Sequence, residues 1–302
     1  MPALLADGTR QAASEIWLTN GTPSYHKRHG IEYSLHGDFL FGSIQLAESD
    51  FGDEESSSTG RTPLHQAAEV AYREIFALMD DLGYPHVLRF WNYIARINEH
   101  THGVERYRQF NAGRQDGFLQ ADRQITGNLV PAASALGSAD GPLTVCFIAT
   151  KSTAPIPIEN PRQVSAYDYP PDYGVRRPTF SRAGLVRLQG TSLFLLSGTA
   201  SIVGHASMHH EDVQAQTREI ISNIRAVLEE ANHTLDEGRF SLNDLDYKVY
   251  VRHPEHVSLI DTELRKEISS SIFYLQADIC RSELLLEIEA AGLLYPASGH
   301  PA

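Results

Sequence analysis

The chain has 302 residues, 38 of them Asp or Glu and 25 Lys or Arg, for a formal net charge of −13 with His neutral, and 42% are hydrophobic. That apolar content fills one or two packed cores and excludes a disordered or collagen-like chain. The acidic balance argues against nucleic acid as a partner, because affinity for a phosphate backbone comes from clustered positive charge.

The N-terminal run MPALLADGTRQAASEIW lacks a basic and apolar leader, and no apolar run approaches the roughly 20 residues that span a bilayer. Cys146 and Cys280 sit in no CxxC or Cys/His spacing, so neither zinc nor a disulfide framework is expected. A cytoplasmic protein with no membrane partner follows, in which the sequon-like Asn232-His233-Thr234 is chance.

Residues 49–63 are acidic and Ser/Gly-rich and read as a surface loop. Thr62-Pro63 then supplies an N-cap and a first-turn proline, and Ala68, Ala71, Tyr72, Ile75, Met79 and Leu82 follow at helical spacing. The spacing predicts a helix over 63–82, closed by Gly83. Residues 86–97 (HVLRFWNYIARI) are aromatic and β-branched and predict a strand; a helical stretch begins near Val104, and a strand covers Leu143 to Thr150. The run from Glu105 to Arg114 holds three Arg and Tyr107. As an exposed helix end it needs no function, while Arg114, read as its last position, could turn inward to grip a carboxylate; composition does not decide.

Residues 151–183 carry six prolines, which forbid a helix, but also Tyr167, Tyr169, Tyr173, Phe180, Arg176, Arg177 and Arg182, more than a bland linker needs. Leu193 to Val203 predicts a strand pair or one bent strand broken at Gly198 and Gly204. A phosphate loop is rejected there, since the glycines are six apart and His205 stands where Lys is required. His209-His210-Glu211-Asp212 reads as the acidic start of a helix rather than a metal site, because a helical stripe runs from Val213 to Ala231. Asp246 to Arg252 predicts a strand, His256 to Ile268 a helix, and Ile272 to Ile279 with Leu284 to Ala290 a hairpin turning at Arg281-Ser282-Glu283. In the last strand Glu287 and Glu289 share one face and Leu286 and Ile288 the other; spacing alone favours two solvated carboxylates, whereas a pocket would make one a general acid. Cys280 reads as a small apolar residue with no base beside it. Strand, long helix, strand, short helix, strands thus occurs twice, predicting a duplicated α+β fold with the helices on one face of each sheet.

Several of these stretches together resemble the chorismatase family (chorismate hydrolases and 3-hydroxybenzoate synthases). They are Arg89 to Ile94, ERYRQFNAGRQDGF from Glu105, Pro131-Ala132-Ala133, Gln163 to Tyr167, Tyr173-Gly174 with Pro178 to Ala183, Ser197 to His205, and Asp278 to Glu289. The resemblance runs from about residue 35 to 292 and departs at Ala95, where the family pattern has Pro. It implies two tandem units of the RidA/YjgF fold: an N-terminal unit over 1–150, the Pro/Tyr/Arg-rich connector over 151–183, and a C-terminal unit over 184–302 carrying the chemistry. It implies an enzyme that releases pyruvate from the small-molecule substrate chorismate, with no metal or organic cofactor. Glu287 is implied as the acid that protonates the enolpyruvyl methylene, with Arg114 and Arg182 on the substrate carboxylates and Tyr107 and Tyr173 as hydrogen-bond partners. Cys at position 280, paired with Gly198 or Ala200, resembles the branch that makes 3-hydroxybenzoate, alone or with some 4-hydroxybenzoate. The alternatives weighed are a RidA-type enamine or imine deaminase and a non-catalytic small-anion-binding module. The deaminase reading suffers because the strand from Ile272 to Asp278 lacks the Arg such enzymes use. Single-unit relatives assemble as trimers, so a monomer and a trimer both stay open.

Overall fold

The computed structural model describes residues 1–11, 14–52, 61–174, 176–188 and 190–295. Most of the expected acidic loop, residues 53–60, lies outside them.

The first half runs β1 (Ala3–Leu4), β2 (Arg10–Gln11), β3 (Ser24–Arg28), β4 (Ile31–His36), β5 (Phe39–Leu46), α1 (Pro63–Leu82), β6 (His86–Ala95), β7 (His100–Thr101), β8 (Val104–Glu105), α2 (Arg106–Gln120), β9 (Ala132–Ser138) and β10 (Leu143–Thr150). The second half runs β11 (Ile156–Ile158), β12 (Ala183–Leu188), β13 (Thr191–Thr199), β14 (Ile202–Val203), β15 (Ala206–Ser207), α3 (Val213–His233), β16 (Asp246–Val251), α4 (Val257–Leu264), β17 (Ile272–Gln276), β18 (Asp278–Ile279) and β19 (Leu286–Leu294). The helix signals behave as the residues dictate. Thr62 Oγ1 accepts from the His65 amide at 3.2 Å, Gly83 closes α1 in the left-handed conformation (φ 71°), and Asp212 caps α3 by accepting from the Ala215 amide at 2.9 Å.

One sheet has the order β18-β9-β6-β10-β5-β4-β3 and the other β11-β12-β13-β19-β16-β17-β1-β2. The duplication is visible in topology. A hairpin (β4–β5; β12–β13) leads through a long helix to a strand (β6; β16), through a shorter helix to its parallel neighbour (β9; β17), and back to a strand (β10; β19) inserted between the hairpin and the strand that follows the long helix. Helices α1 and α2 cover one face of the first sheet over Tyr72, Phe76, Phe90, Phe110 and Phe147, and α3 and α4 one face of the second over Phe194, Ile220, Ile224, Val249 and Ile288. Each such side chain, fully buried, contributes about 1.5–3 kcal/mol. The uncovered faces pack on each other through Leu88, Trp91 and Ile148 against Val186, Leu193 and Leu195.

Two features depart from expectation. The hairpin between Ile272–Ile279 and Leu284–Ala290 does not form: β16 lies between β17 and β19, and β18 pairs with β9 of the other sheet. Adjacency in sequence suggested pairing, but β19 is buried on both faces over Leu286–Ala290 and so takes a central position. The sheets also trade edges across residues 150 and 184, because β1 pairs with β17 and β18 with β9. The meander β3–β5 went unread in the sequence; β3 is exposed at every residue and has no apolar alternation to betray it. Among the described residues, no helix is long and apolar enough to cross a membrane.

Candidate active site

The Glu-Ile-Glu run of β19 turns its carboxylates toward the seam between the sheets. They are not solvated, as spacing alone favoured; Glu287 is 3% and Glu289 4% exposed. Their environments differ. Glu289 accepts from Arg89 Nη2 (2.5 Å), Trp91 Nε1 (3.0 Å) and Ser134 Oγ (2.9 Å) and pairs with Lys248 Nζ at 2.7 Å. Burial alone would raise its pKa, but Arg89 and Lys248 outweigh that and bring it down to about 2. Glu287 has no such cage: Cys280 Sγ, 4.0 Å from Oε2, is its hydrogen-bond contact among the described residues. Burial, with the charge of Glu289 added, pushes its carboxyl up to about 8, against a smaller opposing pull from Arg89 and Arg182. Two carboxyls on one strand face are thus held in opposite protonation states at neutral pH, the arrangement that assigns an acid and a fixed charge.

Gly198 makes room for the acid. Strand β13 shifts register against β19 between Leu196 and Thr199, a bulge that brings its backbone onto the Glu287 carboxyl. A Cβ at position 198 would fall 2.6 Å from Glu287 Cδ and collide with Oε1. The small residues of SGTAS are therefore a close-approach device, as the sequence suggested.

A cavity of about 200 Å³ opens from this point between the two units. All eight residues singled out from the sequence line it: Glu287, Cys280, Gly198, Ala200, Tyr107, Arg114, Tyr173 and Arg182. Tyr107 and Arg114 stand two turns apart on α2. The adjoining face of that helix carries Gly113 and Gly117, where a Cβ would lie 2.8 Å from the His65 carbonyl carbon and from Tyr72 Cβ respectively. These glycines seat α2 against α1. Arg114 is consequently a buried mid-helix residue, not the exposed helix end the composition allowed; its guanidinium lies 5.3 Å from the Tyr72 ring centroid and donates to the Thr179 carbonyl. Arg182 Nη2 donates to the Val164 carbonyl (2.7 Å) and to Tyr169 Oη (3.0 Å). In both arginines the Nε is buried without a partner. Tyr173, on the connector, donates to the His205 carbonyl at 2.7 Å. Cys280 arrives through β18, which approaches β9 because Gly137 has no side chain; a Cβ there would meet Asp278 Cβ at 2.5 Å. Burial, then the neighbouring Glu287, pushes the Cys280 thiol up to about 12, so it is a neutral group.

Sequence reasoning missed Ser134, Arg108 and Arg281 in this lining, and the cage of Glu289; Tyr169 and Phe180 were marked only as part of the connector. The signal for the cage was present: Arg89 and Lys248 interrupt otherwise apolar strands and require buried counter-charges. Four guanidinium groups (Arg108, Arg114, Arg182, Arg281) face two carboxylates (Glu105, Glu283), an excess of 4 − 2 = 2 positive charges while Glu287 holds its proton. Elsewhere, His65, Glu69 and Asp116 bring ligand atoms within 4.8 Å of one another, but Arg61 pairs with Glu69, Arg176 lies 3.2 Å from Asp116, and His65 bonds Asp116 at 2.9 Å. That cluster satisfies itself.

Residues 15–149 match the family model described as chorismatase FkbO/Hyg5-like, N-terminal. A 3-hydroxybenzoate synthase of Streptomyces hygroscopicus is 35% identical over 292 residues, covering 93% of this chain and 82% of that protein. A chorismatase of Streptomyces rapamycinicus is 36% identical over 288 residues, covering 92% and 82%. A crystal structure of a chorismatase, 31% identical, superposes with a TM-score of 0.80 over 89% of this chain and 80% of the other.

Proposed function

The chain belongs to the chorismatase family, and from that premise we propose that it converts chorismate into 3-hydroxybenzoate and pyruvate, with Glu287 as the general acid. The observation that carries this reading is the protonated, buried Glu287 at the floor of a cavity with two surplus positive charges. Chorismate is a dianion with an acid-sensitive enol ether, so it fits both halves of that description.

In the proposed reaction the guanidinium groups of Arg114 and Arg182 hold the carboxylates, with Tyr107 and Tyr173 beside them. Glu287 gives its proton to the enolpyruvyl methylene carbon, which turns the side chain into a cationic leaving group. The ring C4 hydroxyl attacks C3 and gives up its proton, which replaces the one Glu287 spent, while the C3–oxygen bond breaks and pyruvate departs. Opening of the arene-oxide-like intermediate places a proton on the oxygen and removes one from the ring, giving 3-hydroxybenzoate with no net proton or water consumed. The neutral Cys280 thiol and the Cβ-free surface of Gly198 shape the space beside the acid so that the internal hydroxyl, not water, reaches C3. Both units of one chain line the cavity, so a monomer suffices; with Cys146 and Cys280 unpaired, the enzyme is assigned to the cytoplasm. Incubation with chorismate, followed by a coupled pyruvate assay and chromatography of the aromatics, is expected to give equal amounts of pyruvate and hydroxybenzoate. Binding without pyruvate release would overturn the reading.

A further inference from the structure

Glu289 lies outside the cavity yet is the most heavily bonded carboxylate of the seam. It sits on the same strand face as Glu287, about 7 Å along β19. Four donors from three other strands converge on it: Arg89 and Trp91 from β6, Ser134 from β9 and Lys248 from β16. Lys248 reaches it from the far side, where a second cavity of about 760 Å³ lies under residues 14–18. There Glu15 also pairs with Lys248, and Trp17 packs edge-on against Trp91 with centroids 6.0 Å apart.

Resting on the reading above, we propose that Glu289 is a positioning residue for the reaction, acting through Glu287 by fixing a negative charge beside it, and that Lys248 sets how much of that charge Glu287 feels. A structural role alone would require only that Arg89 be neutralised, which one carboxylate contact achieves. Instead the carboxylate is shared between Arg89, which also donates to the Leu196 carbonyl, and a lysine that touches neither the cavity nor its lining. The other groups facing Glu287 are Arg89 from β6, Arg182 ahead of β12, Cys280 after β18, and Tyr107 from α2; those facing Glu289 are Arg89, Lys248, Tyr93 and Tyr250. Among these Glu289 supplies the carboxylate charge nearest the acid along the chain.

The two residues give opposite signs, which a general loosening of the site cannot. Glu289→Gln keeps shape but removes the negative charge and uncovers Arg89 and Lys248, so Glu287 ionises more readily. The alkaline limb of kcat is expected to move down by about one to two pH units. Lys248→Met leaves Glu289 with less neutralisation, so the limb moves up. The experiment records kcat and KM against pH for wild type, E289Q and K248M, together with a carbon-13 titration of the Glu287 carboxyl identified by its loss in E287Q. Opposite displacements of limb and titration support the proposal. If E289Q does not fold, the upward shift in K248M alone carries the test. Titration of Glu287 near its high wild-type value in the folded variants overturns it. A wild-type Glu287 that titrates as an ordinary carboxylate would instead defeat its assignment as the acid.

Discussion

The carboxyl of Glu287 occupies the volume that a side chain at Gly198 would need, so the smallest substitution there acts directly on the acid. Gly198→Ala is expected to displace the carboxyl and reduce kcat about 100-fold, the scale of a 1 Å misplacement. KM should change less, because Arg114 and Arg182 stand on other elements; steady-state kinetics separates the two. Under the proposed reaction Cys280 acts as a neutral wall rather than a nucleophile, so Cys280→Ala should preserve pyruvate release while admitting water beside the acid. Chromatography should then show product moving from 3-hydroxybenzoate toward the dihydroxy-cyclohexadiene carboxylate, and an unchanged ratio would contradict the role given to the thiol. At this scale the resemblance to a family, not spacing, pointed to Glu287 as the acid proposed here. The two-residue period puts Glu287 and Glu289 on one face but does not say whether that face meets water. The answer came from Arg89 and Lys248, charges on distant strands whose convergence only the fold reveals.

Helix α2 presents Tyr107 and Arg114 to the cavity because Gly113 and Gly117 let its adjoining face touch α1. Gly113→Ala would set a methyl against the His65 backbone and Ala68, at a cost of about 1–3 kcal/mol of overpacking. Chemical denaturation should show the loss, with weaker chorismate binding because the Arg114 side shifts as well. The helices α1 and α3 were legible because a start signal and a period agree in each: Thr62 ahead of one, which Gly83 also closes, and the acidic Glu211-Asp212 ahead of the other. Strand pairing was not. Residues 272–290 offered two apolar runs and a turn, and only the need to bury β19 on both faces places β16 between them. The connector was legible in part: its tyrosines and Arg182 marked it as more than a linker, and Tyr169, Tyr173 and Arg182 do line the cavity.

The two units share one seam, and the cost of desolvating Glu287 is met by the whole molecule. Its carboxyl holds a proton in the folded chain up to about pH 8 but ionises from about 4.5 when unfolded. The folded state therefore binds the extra proton across that window, and stability falls as pH rises through it. Glu287→Gln removes this dependence, so the variant should resist denaturant better than wild type at pH 8 and resemble it at pH 4.5. Glu289 has the opposite sign: its contribution is present above about 4.5 and is lost as pH falls toward about 2. The duplication was readable as a repeated order of elements, whereas the exchange of β1 and β18 was not, since strands of two residues leave no periodic trace. The most direct measurement is pyruvate release from chorismate by Glu287→Gln, with folding checked by circular dichroism. The account predicts native structure with kcat lowered about 10²–10⁴-fold, the typical share of a general acid; a folded variant that turns over chorismate at near the wild-type rate would contradict it.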